Sequence, residues 1–199
     1  MHIGIFGGDT AGRTIDDIVA DACQAEADGF SSFALPQIFG LDAMAVLTIV
    51  GREVPRIELA TGVVPTYSRH PLTMAQQALT VAAASDGRFV LGIGLSHQFV
   101  IEHMFGLSFE KPVRHMREYL SVLMPMLEGK PVAFNGETYK VNAAASVVGG
   151  SRPSVIVAAL GAQMLRVCGV LTDGTSTWCV GPETLRTFTV PTLREAAEA

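Results

Sequence analysis

The positions of this chain with the clearest chemical potential are mostly glycines, and they fall where apolar runs end. Gly62 follows Ile57, Leu59 and Ala60, while Gly92 and Gly94 bracket Ile93 after Phe89-Val90-Leu91. Glycine at a strand end removes a side chain from a place where a flat ring could lie against backbone. From residue types alone, Gly62-Val63 reads as a plain strand end before Pro65, with a ring-backing bulge as the alternative. Ala158-Ala159-Leu160-Gly161-Ala162-Gln163 runs from an apolar strand into a helix. Unpaired N–H groups at a helix start attract anions, and Gly161 leaves room for a phosphate. Taken singly, such a junction is more often a simple strand-to-helix turn. Gly94-Leu95-Ser96-His97 ends another strand; His97 is suited to proton relay near neutral pH, and a loop or cap histidine is the plainer reading. Arg69 reads as a solvated loop cation, or as a partner for an acidic group at a cavity mouth. Trp178, the single tryptophan, is either core or an aromatic cover. No nucleophile stands out, and Cys23, Cys168 and Cys179 lack metal-ligand spacing.

The elements that must position these residues alternate from end to end. Ile3 to Phe6 reads as a first strand. Thr14 with Asp17 forms a capping box for a helix whose inner face includes Ile15, Ile18, Val19 and Ala22. Phe30 to Leu35 is a second strand, Asp42 starts a helix that Gly51 ends, and Ile57 to Val64 is a third strand. Pro71 opens a helix to about Ala84, and Asp86-Gly87 turns into a fourth strand, Arg88 to Ile93. Pro112 opens a long helix with Pro125 as a kink site. Asn135-Gly136 predicts a type I′ hairpin turn within 132–141. Ser154 to Ala159 is a fifth strand, Leu165 to Cys168 lies in a helix, Gly174 to Trp178 is a sixth strand, and Leu193 to Ala199 is helical. Met104, Met116, Met124 and Met126 read as helix packing. Six successive βα units give a parallel sheet with right-handed crossovers, either doubly wound or barrel-like. Gly7 to Gly12 is glycine-rich but does not match the dinucleotide-binding pattern.

The 199 residues suit one domain. A 49% hydrophobic content with 17% charged residues fits strands buried on both faces. The net charge of −5 is scattered, which argues against nucleic acid as a partner. No apolar run approaches the ~20 residues that span a membrane, and the N-terminal residues do not read as a signal peptide. A reduced, cytoplasmic setting is the default expectation.

The runs TGVVPTYSRHP (61–71), SDGRFVLGIGLSH (85–97) and AALGAQMLRVCGVLTDGTSTW (158–178) resemble the bacterial luciferase-like monooxygenase superfamily, and within it the branch using the deazaflavin coenzyme F420. The resemblance covers essentially the whole chain. It implies an α/β fold of the TIM (β/α)8-type barrel, incomplete here: the first six βα units, with strands seven and eight absent. The chain is then a fragment, a shortened relative, or a part that another chain completes. The resemblance implies a non-prolyl cis peptide at Gly62-Val63 backing the deazaflavin ring, with Gly94, Leu95 and Ser96 along its edge. It puts the phosphodiester tail at Leu160, Gly161, Ala162 and Gln163, and Trp178 against the coenzyme or over the pocket.

Relatives that oxidise sugar phosphates carry a catalytic acid matching Leu95, and a carboxylate followed by histidine where Pro36-Gln37-Ile38 stands here. Gln37 hydrogen-bonds but cannot act as a base. The implied activity is an F420-dependent oxidoreductase passing a hydride between deazaflavin and a small organic substrate, with a reductase favoured and catalytic residues unassigned. An FMN-dependent luciferase-like monooxygenase is one alternative; a non-catalytic partial barrel that binds cofactor or a partner is another. Six strands would leave the first and last with unpaired edges, which predicts self-association, as a homo-oligomer, or instability.

Overall fold

A computed structural model describes residues 2–199. The strands are β1 (Gly4–Phe6), β2 (Ser32–Leu35), β3 (Glu58–Thr61), β4 (Val64–Pro65), β5 (Phe89–Gly94), the hairpin β6 (Val132–Asn135) and β7 (Lys140–Ala143), β8 (Ser154–Ala158) and β9 (Gly174–Ser176). Between them run α1 (Ile15–Ala27), α2 (Ala43–Glu53), α3 (Pro71–Ala84), α4 (Pro112–Leu127) and α5 (Ala162–Leu171), followed by α6 (Pro182–Thr184) and α7 (Val190–Glu198). The parallel sheet has the order β1-β2-β3-β5-β8-β9, with β4 adding to the end of β5. In a flat sheet the outer strands of that path would stand about 24 Å apart. Instead the Phe6 ring, at the end of β1, and the Trp178 ring, two residues past β9, have centroids 6.1 Å apart. The sheet is therefore strongly curled into a half-barrel.

Residues paired across the ladder share a face. The row Phe33–Leu59–Phe89 and the pairs Leu91–Val155 and Ile93–Val157 lie under the helices and are buried. The opposite row, Phe6–Ala34–Ala60–Val90 with Ala158–Ser176, is made mainly of small residues and lines the concave face. The core thus lies between sheet and helices.

Local signals explain most boundaries. Thr14 N–H donates to Asp17 Oδ2 at 2.8 Å and Asp17 N–H to Thr14 Oγ1 at 3.2 Å, closing the capping box. Asp42 Oδ1 accepts from Ala45 N–H at 3.0 Å. Pro71 and Pro112 occupy first helical positions, where a missing N–H costs nothing. Three expectations need correction. Ile15 is exposed, and Ile18, Ala22 and Ala25 form the buried stripe of α1. Gly51 does not end α2. It is buried inside the helix, where a Cβ would lie 2.8 Å from Ser85 Cβ, so its role is close approach of α2 to the end of α3. Helical backbone also begins earlier than expected at the C-terminus, at Pro182, and α7 folds onto α5 where Gly169 leaves room for the Leu193 carbonyl.

The hairpin departs from a two-residue type I′ turn. Asn135 pairs with Lys140, leaving Gly136 to Tyr139 as the loop, and neither Asn135 nor Gly136 adopts positive φ. The reason comes from α4. The Glu118 carboxylate accepts the N–H groups of Glu137 (3.1 Å), Thr138 (2.8 Å) and Tyr139 (3.1 Å), an acceptor array no local turn supplies. Partial burial opposes ionisation of Glu118, but these bonds win and hold its carboxyl below the usual range. Glu118→Ala is expected to cost about 2 kcal/mol and to speed amide hydrogen exchange at 137–139, read by mass spectrometry with chemical denaturation.

Candidate functional site

The C-terminal ends of the parallel strands converge on one rim, where barrel-type folds gather their functional residues. Here the chain leaves the ladder between β3 and β4, and the Gly62-Val63 peptide in that gap is cis. Pairing with β5 stops after Ala60–Val90 and resumes at Val64–Ile93. The Thr61 side chain bridges the interruption: its Oγ1 donates to Gly92 O at 2.7 Å and accepts from Gly92 N–H at 2.8 Å. Both backbone groups of a buried residue are thereby satisfied by one hydroxyl.

The strand-end glycines also pack closely against the chain itself. A Cβ on Gly62 would lie 2.6 Å from the Phe6 ring, one on Gly92 1.9 Å from Thr61 O, and one on Gly94 2.8 Å from a Val63 methyl. Val63 consequently projects over Gly92 and Gly94. On its other side opens a cavity of about 330 Å3. Its apolar wall is Ile38, Phe39, Val63, Val100 and Phe105, with Pro65; its polar groups are Gln37, Ser96 and His97. His97 is the one titratable side chain among them. Ser96 takes a left-handed φ of 62°, ending β5 abruptly and turning the chain along the cavity. Leu95, between the two lining segments, packs back against the core.

Ala158 Cβ is 3.2 Å from where a Gly94 Cβ would be, so the rim continues from β5 onto β8 and into Leu160. Gly161 is the N-cap of α5 and no side chain caps that end. A Cβ there would meet nothing within 4 Å. Ala162 and Gln163 form the first turn, with Gln163 and Leu160 exposed. The helix start therefore presents N–H groups to open space, the arrangement that binds phosphate. Trp178 is 69% exposed, which excludes a core role, and its neighbour is Phe6. Arg69 is not a solvated cation: it is paired with Asp42 and is largely buried. Met104 is exposed beside the cavity, whereas Met116 and Met126 are fully buried.

A further cluster, which the sequence did not announce, gathers around His115 and takes in all three tyrosines of the chain. Tyr67 stacks on the imidazole at 3.9 Å and 4°. Nε2 lies 2.9 Å from Thr66 Oγ1, and Tyr119 Oη donates to Arg69 O at 3.0 Å. Burial lowers the His115 value to about 4, against a weak upward pull from Glu118, so the ring is neutral at pH 7. Burial likewise raises Tyr67 to about 12, and its hydroxyl has no hydrogen-bond partner. The cluster ties the segment after β4 to α4 and the hairpin. Its members lie as far apart as residues 66 and 139, so no spacing signal exists to reveal them.

Among the described residues no group of three or more His, Cys, Asp or Glu is placed to hold a metal, and no helix is long and apolar enough to cross a membrane. Comparison with known proteins gives a consistent picture. The chain is 35% identical over 133 residues to the 5,10-methylenetetrahydromethanopterin reductase of Archaeoglobus fulgidus, covering 65% of this chain and 39% of that one. It is 31% identical over 166 residues to the F420-dependent glucose-6-phosphate dehydrogenase of Mycolicibacterium gilvum, covering 79% and 49%. The chain spans about half or less of the length of these relatives. The solved structure of the coenzyme F420-dependent tetrahydromethanopterin reductase from Methanopyrus kandleri superposes with a TM-score of 0.83 at 25% identity, over all of this chain and 60% of that one. The luciferase-like monooxygenase family model matches residues 1–199, from one end of the sequence to the other, and the chain belongs to that family.

Proposed function

We propose that this chain forms the coenzyme-binding part of an F420-dependent oxidoreductase that passes a hydride between the deazaflavin and a small organic substrate. The observation that carries this reading is the pairing, on one rim, of an uncapped helix start at Gly161 with the Val63-lined cavity. The residues fit such a group. A phosphodiester tail would take the N–H groups around Leu160, Gly161, Ala162 and Gln163, while Gly62, Val63, Gly94 and Ser96 would position the ring system. Trp178, exposed at the neighbouring strand end, would cover it. Bound there, the deazaflavin supplies the hydride chemistry itself. The chain's own part is to orient the ring against the cavity and to shield the reacting face from water. The F420-dependent relatives support this choice of coenzyme over FMN.

The test is a fluorescence titration with F420 and with FMN. F420 is expected to bind at least tenfold more tightly. Gly161→Val is expected to weaken F420 by roughly tenfold or more, about 1.4 kcal/mol, by obstructing the phosphate. Because that side chain would enter open space, the melting temperature should hold within about 2 °C. Unchanged F420 affinity in this variant would remove the phosphate site, and a preference for FMN would overturn the coenzyme assignment.

A further inference from the structure

The cavity beside Val63 contains a donor already oriented for use. Ala43 N–H donates to Gln37 Oε1 at 2.9 Å. An N–H donor can only meet the amide oxygen, so this bond fixes which end of the Gln37 amide is which. The oxygen is committed to the start of α2, and Nε2 makes no hydrogen bond among the described residues. Gln37 lines the cavity together with the apolar Ile38, Phe39, Val63, Val100 and Phe105 and the polar Ser96 and His97. Neither a carboxylate, a lysine nor an arginine lines that space. The nearby cation, Arg69, is neutralised by Asp42. Phe99, Met104 and Leu107, all exposed, carry the apolar character around the segment that bears Val100 and Phe105.

Such a site disfavours anions, because no permanently charged group lines it to repay their lost hydration. It also discriminates among neutral molecules, because the unpaired amide donor of Gln37 in a mainly apolar wall rewards a molecule that brings an acceptor. We infer that the occupant is an uncharged, predominantly apolar molecule bearing a carbonyl-type oxygen, and that Gln37 Nε2 donates to that oxygen. Gln37 is thus a specificity-determining residue. Naming the occupant a substrate rests on the coenzyme reading above; the selectivity of the cavity does not.

Calorimetric titration with four probes tests this: 2-acetylnaphthalene, 2-ethylnaphthalene, 2-naphthoate and glucose 6-phosphate. The ketone is expected to bind at least tenfold more tightly than 2-naphthoate and severalfold more tightly than 2-ethylnaphthalene, with glucose 6-phosphate undetected. Gln37→Glu keeps an acceptor for Ala43 N–H and loses the donor. It should erase the ketone's advantage over the hydrocarbon while leaving the melting temperature nearly unchanged. Saturating F420 should leave ketone binding intact. Equal or tighter binding of 2-naphthoate, a ketone preference that survives in the variant, or competition between ketone and F420 would each overturn the inference. Failure of F420 to bind, with the ketone preference standing, would overturn the coenzyme reading alone.

Discussion

Between pH 7 and pH 4.5 the folded chain is expected to lose about 2–3 kcal/mol of stability through His115 alone. Burial holds this imidazole at about 4, below its ordinary 6.5. The sign follows from proton counting. In the unfolded chain the ring takes up a proton as the pH falls through 6.5; in the folded chain it resists until about 4. Across that window the unfolded state binds more protons, so acid favours unfolding. Above 6.5 both states are neutral and the penalty is absent. The imidazole is 4% exposed, stacked on Tyr67 and joined through Nε2 to Thr66, so no water is at hand to solvate a charge. Urea denaturation at half-unit pH steps checks this, with His115→Gln as the control. The variant has its own stability, so the comparison is of slopes. Parallel slopes in the two proteins would mean that some other group drives the acid response.

The largest single loss is expected at the ladder interruption. Gly92→Ala would drive a methyl to within 1.9 Å of the Thr61 carbonyl, a rigid backbone atom that cannot step aside. Overpacking of this kind typically costs 1–3 kcal/mol, and a backbone obstacle belongs at or above the top of that range, about 3 kcal/mol or more. Thr61→Val attacks the same joint chemically: shape is nearly kept, but Gly92 N–H and C=O both lose their partner in a buried setting. That change is expected to cost about 2–4 kcal/mol. Guanidinium unfolding monitored by circular dichroism measures both. Gly161→Ala is the matched control, since its methyl enters open space and should leave the midpoint unmoved.

Much of the architecture was legible because it is written locally. Thr14 with Asp17, Asp42, Pro71 and Pro112 each mark a helix start through chemistry confined to one turn. The cis link at Gly62-Val63 and the open helix start at Gly161 were likewise anticipated from resemblance and from residue type. What escaped depends on distant partners. Gly51 looked like a stop signal because glycine usually weakens a helix, but Ser85, from another helix, demands its small size. Asn135-Gly136 looked like a tight turn until Glu118 supplied three acceptor contacts from α4. Gln37 was read for what it cannot do, accept a proton as a base. That its amide nitrogen is left without a partner depends on Ala43, six residues on, claiming its oxygen.

The two faces of the sheet carry separate duties. Phe33, Leu59, Phe89, Leu91 and Val157 face the helices and hold the fold. Ala34, Ala60, Val90, Ile156 and Ala158 alternate with them, half-buried, on the concave side. A substitution on the concave side therefore alters what the molecule meets without dismantling what keeps it folded. Gly92 and Gly94 are exceptions, because a Cβ at either would collide with the chain itself. Changing every second residue of a strand would therefore reshape the concave surface while leaving the helix-facing core in place.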